Sequence, residues 1–240
     1  MKPGRAPERS TYRHGDLRRA LLEAGLQLAR AGGPGAVVLR EATRWVGVAP
    51  NAAYRHFSGR EELLEAVRAA ALAALAVAME HELAGLLDGS PDERQMGLKA
   101  GPQEGLKAKV HKRLPKGRKP AESARATLRA VGTGYLKFAL AETGLFRTAF
   151  SAPVQVETDR DPAKAGGSGL NPFQLLGAAL DVLVQSGALP PERRPGAEYL
   201  AWSGVHGLAL LLIDGPLKGI APAQASSLGQ RLLDMVEKGL

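Results

Sequence analysis

Apolar residues recur at three- and four-residue intervals along almost the whole chain, and no convincing stretch alternates apolar with polar positions. That spacing lines one face of an α-helix, so the sequence predicts an all-α protein without a sheet. Leu17, Leu21, Ala24 and Leu28 line a first helix over roughly 14–31, ended by Gly32-Gly33-Pro34-Gly35. Leu39, Ala42 and Val46 mark a short second helix that stops at Gly47. A third, about 50–56, opens on Pro50, whose missing N–H costs little in a first turn. Ser58 and Glu61 have the spacing of a capping box, which would open a long apolar helix running to about 87. Residues 88–121, rich in Gly, Pro and Lys, read as a flexible insertion. Helical spacing resumes over 122–150, a Pro/Gly-rich loop covers 151–171, and further helices are predicted at 172–187, 196–213 and 222–238. The outline is a basic arm (1–13), a three-helix unit (14–59) and a larger helical body (60–240).

Several function classes fall away on composition. The chain has no cysteine, which excludes a disulfide framework and thiolate metal sites. The five histidines show no ligand spacing, so no metal or cofactor is expected. No Ser/His/Asp arrangement is visible, and Gly166-Gly167-Ser168-Gly169 follows no apolar strand, so it does not read as a phosphate loop. Catalysis on the helical body is therefore the remote alternative. The longest apolar runs, around ALAALAVAM and HGLALLLI, fall short of a membrane span, and the polar basic start is no secretory signal. A cytoplasmic protein is expected.

Charge points to a partner. The formal net charge is +8, and residues 1–60 hold eleven Lys and Arg against four Asp and Glu, so most of the excess lies there. Two short helices joined at a glycine form a helix-turn-helix pattern, whose second helix can enter the DNA major groove. The stretch GVAPNAAYRHF, residues 47–57, suits that role. Asn51 can pair with adenine, Ala52 and Ala53 are small enough for close approach, and alanine methyls can meet thymine methyls. Tyr54, Arg55 and His56 can reach phosphate oxygens, while Phe57 turns back to the core. The same hairpin also occurs in proteins that never touch DNA, and the basic run at 107–119 is equally readable as a self-solvating loop.

Residues 14–67 resemble the DNA-binding domain of the TetR/AcrR family of transcriptional repressors. The resemblance rests on Gly47-Val48, then Tyr54-Arg55-His56-Phe57, then Arg60-Glu61 at a helix start. Trp202, His206 and Gly207 resemble the Trp-His-Gly motif of one subgroup's regulatory domain. The resemblance implies a repressor that binds a palindromic, double-stranded DNA operator as a homodimer through its last two helices, 196–213 and 222–238. It also implies a small-molecule effector held in the body, with Tyr135, Phe138, Phe146, Phe150, Trp202 and His206 as candidate pocket residues. Arg60 occupies the place of a phosphate-contacting lysine at a helix N-terminus. Arg5, Arg9 and Arg13 read either as an arm into the adjacent groove or as a plain basic tail.

The departures from the family pattern are specific. Val37 and Val38 stand where a hydroxyl residue normally opens the second helix, and Ala49 where Ser or Thr normally caps the third. Ala42-Thr43 and Ala53 reduce the volume of the small core, and Trp45 takes an outward position. Thr43 and Arg44, with Arg40 on the same helix, are candidate replacement phosphate contacts, and Pro50 joins Asn51 and Ala52 on the DNA-facing side. A ligand-independent DNA-binding protein or activator with the same head remains the nearer alternative.

Overall fold

The computed structural model describes residues 17–87, 119–153 and 158–240, and every regular element in them is helical. Nine α-helices follow in order: α1 (Leu17–Gly32), α2 (Leu39–Val46), α3 (Pro50–Ala53), α4 (Arg60–Leu87), α5 (Pro120–Ala141), α6 (Thr143–Ala149), α7 (Pro172–Gln185), α8 (Ala197–Ile213) and α9 (Pro222–Gly239). Single 3-10 turns at Pro34–Ala36, Pro162–Lys164 and Pro191–Arg193 join them. The basic arm and most of the insertion, residues 88–118, lie outside the described residues.

The all-α expectation holds, and four local expectations need correction. The third helix covers only Pro50–Ala53; the chain then turns, with the His56 and Phe57 amides both donating to the Ala53 carbonyl. The capping box does not form between Ser58 and Glu61. The long helix starts at Arg60, so Gly59 holds the cap position and its carbonyl accepts the first bond, from Leu63 N–H. Glu62 is therefore the third helical residue, and its carboxylate accepts the Ser58 amide at 2.7 Å. The Ser58 amide and hydroxyl bonds hold the Glu62 carboxyl below its ordinary pKa, while Glu61 pairs with Arg60 instead.

The insertion ends earlier than expected, because Pro120 already begins α5. The 122–150 segment is two helices, broken at Glu142 (φ −115°, ψ 46°). The break follows from what comes next. Gly144 seats α6 on the last turn of α1 so closely that a β-carbon there would lie 2.2 Å from the Ala29 carbonyl oxygen. Arg30 and Glu142 close the same corner with a 3.0 Å ion pair.

Helix α4 is apolar around most of its circumference because α1, α5, α6 and α7 pack around it. One continuous core runs from Leu21 and Phe57 in the three-helix unit through Val67 and Leu75 of α4 to Phe146 and Leu180 in the body. Ion pairs clip the outer helices: Arg129 of α5 to Asp234 and Glu237 of α9, and Arg147 of α6 to Asp214 beyond α8. Asn171 caps α7 in a reciprocal box with Gln174.

The Gly166–Gly169 run does hold an anion, and the anion is the protein's own. The Glu80 carboxylate on α4 accepts the Gly167 amide at 2.8 Å, the Ser168 amide at 2.9 Å and the Ser168 hydroxyl at 2.5 Å. Three donors converge as in a backbone nest, which fastens the loop before α7 to α4. Glu80→Ala should remove bonds worth together about 1.5–3 kcal/mol. Amide hydrogen exchange at Gly167 and Ser168 is then expected to rise roughly tenfold or more, with the α4 core amides unchanged.

Candidate functional site

Gly47 ends α2 in the left-handed region, at φ 77°, which glycine enters without steric cost. Ala49 follows in extended conformation and gives α3 no side-chain cap. The turn aims Ala53 and Phe57 into the core, both at 0% exposure. Pro50, Asn51, Tyr54 and Arg55 then face outward, with Ala52 and His56 half-buried beside them. Pro50 and Asn51 open α3, and Tyr54 and Arg55 stand exposed in the turn that follows it. On α2, Arg40 and Arg44 share an exposed face at the same spacing, and Trp45 is 65% exposed next to them. The Arg18 guanidinium lies 4.8 Å from the centroid of the Phe57 ring, tying α1 to the far end of the turn.

Two predicted contacts are less available than the sequence suggested. Thr43 is 2% exposed and its hydroxyl donates to the Arg40 carbonyl at 2.8 Å, so it supports α2 from inside and presents nothing to phosphate. Its position on the buried side of an eight-residue helix decides this. Arg60 remains 41% exposed, but its guanidinium donates to the Pro34 carbonyl at 2.9 Å and pairs with Glu61. That bond joins the start of α4 to the turn between α1 and α2. Arg44 is paired with Glu41 at 2.9 Å and is 68% exposed, so the pair is readily exchanged.

The second feature is a cavity in the body, walled by Leu72 and Met79 of α4 and by α5, α7, α8 and α9. Of the predicted pocket residues, Tyr135, Phe150 and Trp202 line it; Phe138, Phe146 and His206 do not. Phe138 is core, and Phe146 lies behind the wall with its ring 5.6 Å from that of Tyr135. His206 is half-buried, edge to face with Phe150 at 4.8 Å between ring centroids, with Nδ1 2.7 Å from the Tyr135 hydroxyl. Trp202 Nε1–H donates to the same hydroxyl at 3.1 Å. The Trp202 N–H and His206 Nδ1 thus meet on one hydroxyl, that of Tyr135. Phe173 and Leu176 of α7 were missed as wall residues. Their only sequence signal is ordinary apolar spacing next to the Asn171 cap.

Burial pushes the His206 pKa down, so the ring is neutral and suited to accept that bond. Burial likewise raises the Tyr135 hydroxyl, which keeps its proton. The sign for stability follows. A histidine with a depressed folded-state pKa contributes fully above its unfolded value of 6.5, and the contribution is lost as pH falls through the folded value. Thermal melts should therefore show a stability loss below about pH 6.5 that His206→Gln flattens.

At one end of the cavity, burial opposes the charges of Asp159 and Lys164, yet their 2.7 Å bond holds the carboxyl low and the ammonium high. The open space amounts to about 60 Å³ for water-sized centres, room for roughly four waters. It is narrow, and its walls are mostly apolar.

Known proteins share both halves of this arrangement. The model for bacterial regulatory proteins of the tetR family matches residues 21–67, and the one for the tetracyclin repressor-like C-terminal domain matches residues 128–236. A protein of unknown function from Rhodococcus sp. RHA1 superposes with a TM-score of 0.59 at 22% identity, covering 96% of this chain and 98% of that one. A candidate regulatory protein, SCO4313, superposes at 0.51 and 16% identity, covering 94% and 98%. At such identities the likeness shows the fold alone. No curated protein matches the sequence. With a tetR-family model on its helix-turn-helix and a tetracyclin repressor-like model on its body, together spanning more than half of the residues, the chain belongs to the TetR family of transcriptional regulators.

Proposed function

We propose that this regulator is a ligand-responsive repressor that binds a roughly palindromic operator as a homodimer. Residues 14–59 serve as the reading head and residues 60–240 as the ligand-binding and dimerisation body. The observation that carries the DNA-binding half is the outward set on α2, α3 and the turn after it: Arg40, Arg44, Asn51, Tyr54 and Arg55, set on a buried base of Ala42, Ala53 and Phe57. Asn51 and Ala52 then face the bases, and Tyr54, Arg55 and His56 the backbone, with Pro50 starting the helix. Arg60 acts chiefly by holding α4 to the head. Operator-bound, the protein would sit on the nucleoid in the cytoplasm, and no catalytic step is part of this role.

Dimerisation is supported by an apolar face that none of the described residues covers. On α8, Leu200 is 67% exposed, Leu210 42% and Leu211 43%, and Met235 of α9 is 63% exposed. Gly207 lies on the same face with open space where a β-carbon would be. A glycine inside a helix costs about 1 kcal/mol against alanine, a cost that close approach of a second copy would explain. A four-helix contact through α8 and α9 of two protomers fits these features, and its two-fold axis would be mirrored in the operator half-sites.

The effector would act through α4, because Leu72 and Met79 form one wall of the cavity and Arg60 at the same helix's start is bonded to the head. To release the operator it must bind the DNA-free arrangement more tightly than the bound one. A gel shift on the DNA flanking the protein's own gene tests the proposal. Salt-sensitive, sequence-selective binding that Tyr54→Ala and Arg55→Ala weaken is expected; variants that bind like the parent would refute the assigned face.

A further inference from the structure

We infer that the body cavity takes a small, slender, uncharged and mostly apolar molecule, such as a short-chain alkyl alcohol, and rejects carboxylates and ammonium ions. The inference rests on the effector role proposed above and specifies the class of ligand for that site. It follows from where each polar side chain in the wall spends its hydrogen bonds.

The wall contains six side chains able to hydrogen-bond: Arg129, Tyr135, Asp159, Lys164, Asn171 and Trp202. Arg129 is held by Asp234 and by Glu237, the latter at 2.5 Å. Asp159 accepts from Lys164 at 2.7 Å and from the Asp161 amide at 3.0 Å. Lys164 also has Glu65 at 3.9 Å. The Asn171 side-chain oxygen accepts the Gln174 amide at 2.9 Å, and its nitrogen donates to the Asp159 carbonyl at 3.2 Å. Trp202 spends its single N–H on the Tyr135 hydroxyl, which is also hydrogen-bonded to His206 Nδ1. The buried side-chain polar atom left without a partner among the described residues, Ser123 Oγ, is not in the wall.

Each of these groups thus already has a partner inside the protein, so an incoming polar group adds little to what the wall makes by itself. An incoming charge meets cations already neutralised, Arg129 by two carboxylates and Lys164 by Asp159, and loses its hydration without gaining a counter-ion. What remains is apolar contact. Leu72, Leu128, Val131, Leu176 and Val205 supply aliphatic surface. Phe150, Phe173 and Trp202 supply ring faces, with Trp202 about equidistant from the other two at 6.1 Å. The space for only about 60 Å³ of water-sized centres excludes bulky fused rings unless the walls move. An alcohol hydroxyl can remain at the polar end beside Asp159 and Lys164, where a neutral group displaces no charge.

The chain's two tryptophans allow a direct test, because Trp202 lines the cavity and Trp45 lies on α2. In Trp45→Phe, Trp202 emission is followed while 1-butanol, butyrate or butylammonium is titrated at pH 7.5. Saturable change with butanol, at least about tenfold tighter than with either ion, is expected. Trp202→Phe, which keeps only Trp45, should show no saturable change with any of the three. Equal or tighter binding of an ion, or no saturable signal from butanol in Trp45→Phe, overturns the inference. Operator binding of the same samples separates the two claims. Butanol that binds without weakening operator affinity supports the ligand class and contradicts the effector role; preference for an ion contradicts the class and leaves the effector role standing.

Discussion

Gly144→Ala is expected to destabilise the protein by about 3 kcal/mol or more, although the substitution adds a better helix former to α6. On helix propensity alone alanine would stabilise by about 1 kcal/mol. Packing reverses the sign. The new β-carbon would lie 2.2 Å from the Ala29 oxygen, 2.5 Å from the Arg30 oxygen and 2.9 Å from the Arg30 carbonyl carbon. All three are backbone atoms at the end of α1, so no side-chain rotation relieves the clash. Helix α6 must move away, which disturbs the Arg30–Glu142 pair and the seat of Phe146, only 1% exposed. For a chain of this size the melting temperature should fall by roughly 6–12 °C. Gly85→Ala is the matched control: it lies on α4 with nothing within 4 Å of the added carbon, and should stabilise by about 0.5–1 kcal/mol. Equal melting of Gly144→Ala and the parent would mean that α6 does not approach α1 this closely.

Phe57→Ala is expected to cost about 3–5 kcal/mol and to abolish DNA binding while leaving the cavity formed. The ring is fully buried where the chain leaves α3 for α4, and the Arg18 guanidinium lies over its face. The neighbouring core positions Ala42 and Ala53 are also fully buried and already small, so no large side chain on α2 or α3 can relax into the void. The damage should be local. Hydrogen exchange should accelerate across α1–α3, whereas Trp202 emission in a Trp45→Phe background should be unchanged. Phe57→Leu, which keeps most of the volume, should retain measurable binding.

Much of this was legible in the sequence, for identifiable reasons. Helical spacing with Gly and Pro breaks located seven of the nine described helices to within a few residues and merged α5 and α6 into one. The turn at Gly47 and the inward path of Phe57 followed from one motif. What was hidden depended on long-range partners. The break at Glu142 is dictated by Gly144 meeting α1, more than a hundred residues earlier in the chain. Thr43 looked like a surface hydroxyl because an eight-residue helix gives few positions from which to judge its inner face. Phe146 and His206 share the aromatic cluster of the cavity without lining it, since helical spacing gives a face and not a depth. Glu80 and the Gly166–Gly169 run carry no mutual signal, because a carboxylate held by backbone amides needs no particular side chains around it.

The most direct test of the central claim is selection of bound sequences from a random duplex pool, followed by binding titrations against salt for the parent and Arg55→Ala. A two-fold symmetric site is expected. Affinity should fall with salt, with the slope of log affinity on log salt smaller by about one per head in Arg55→Ala. A pool that yields no site, or an Arg55→Ala protein with the parent's affinity and slope on the selected site, would contradict the central claim.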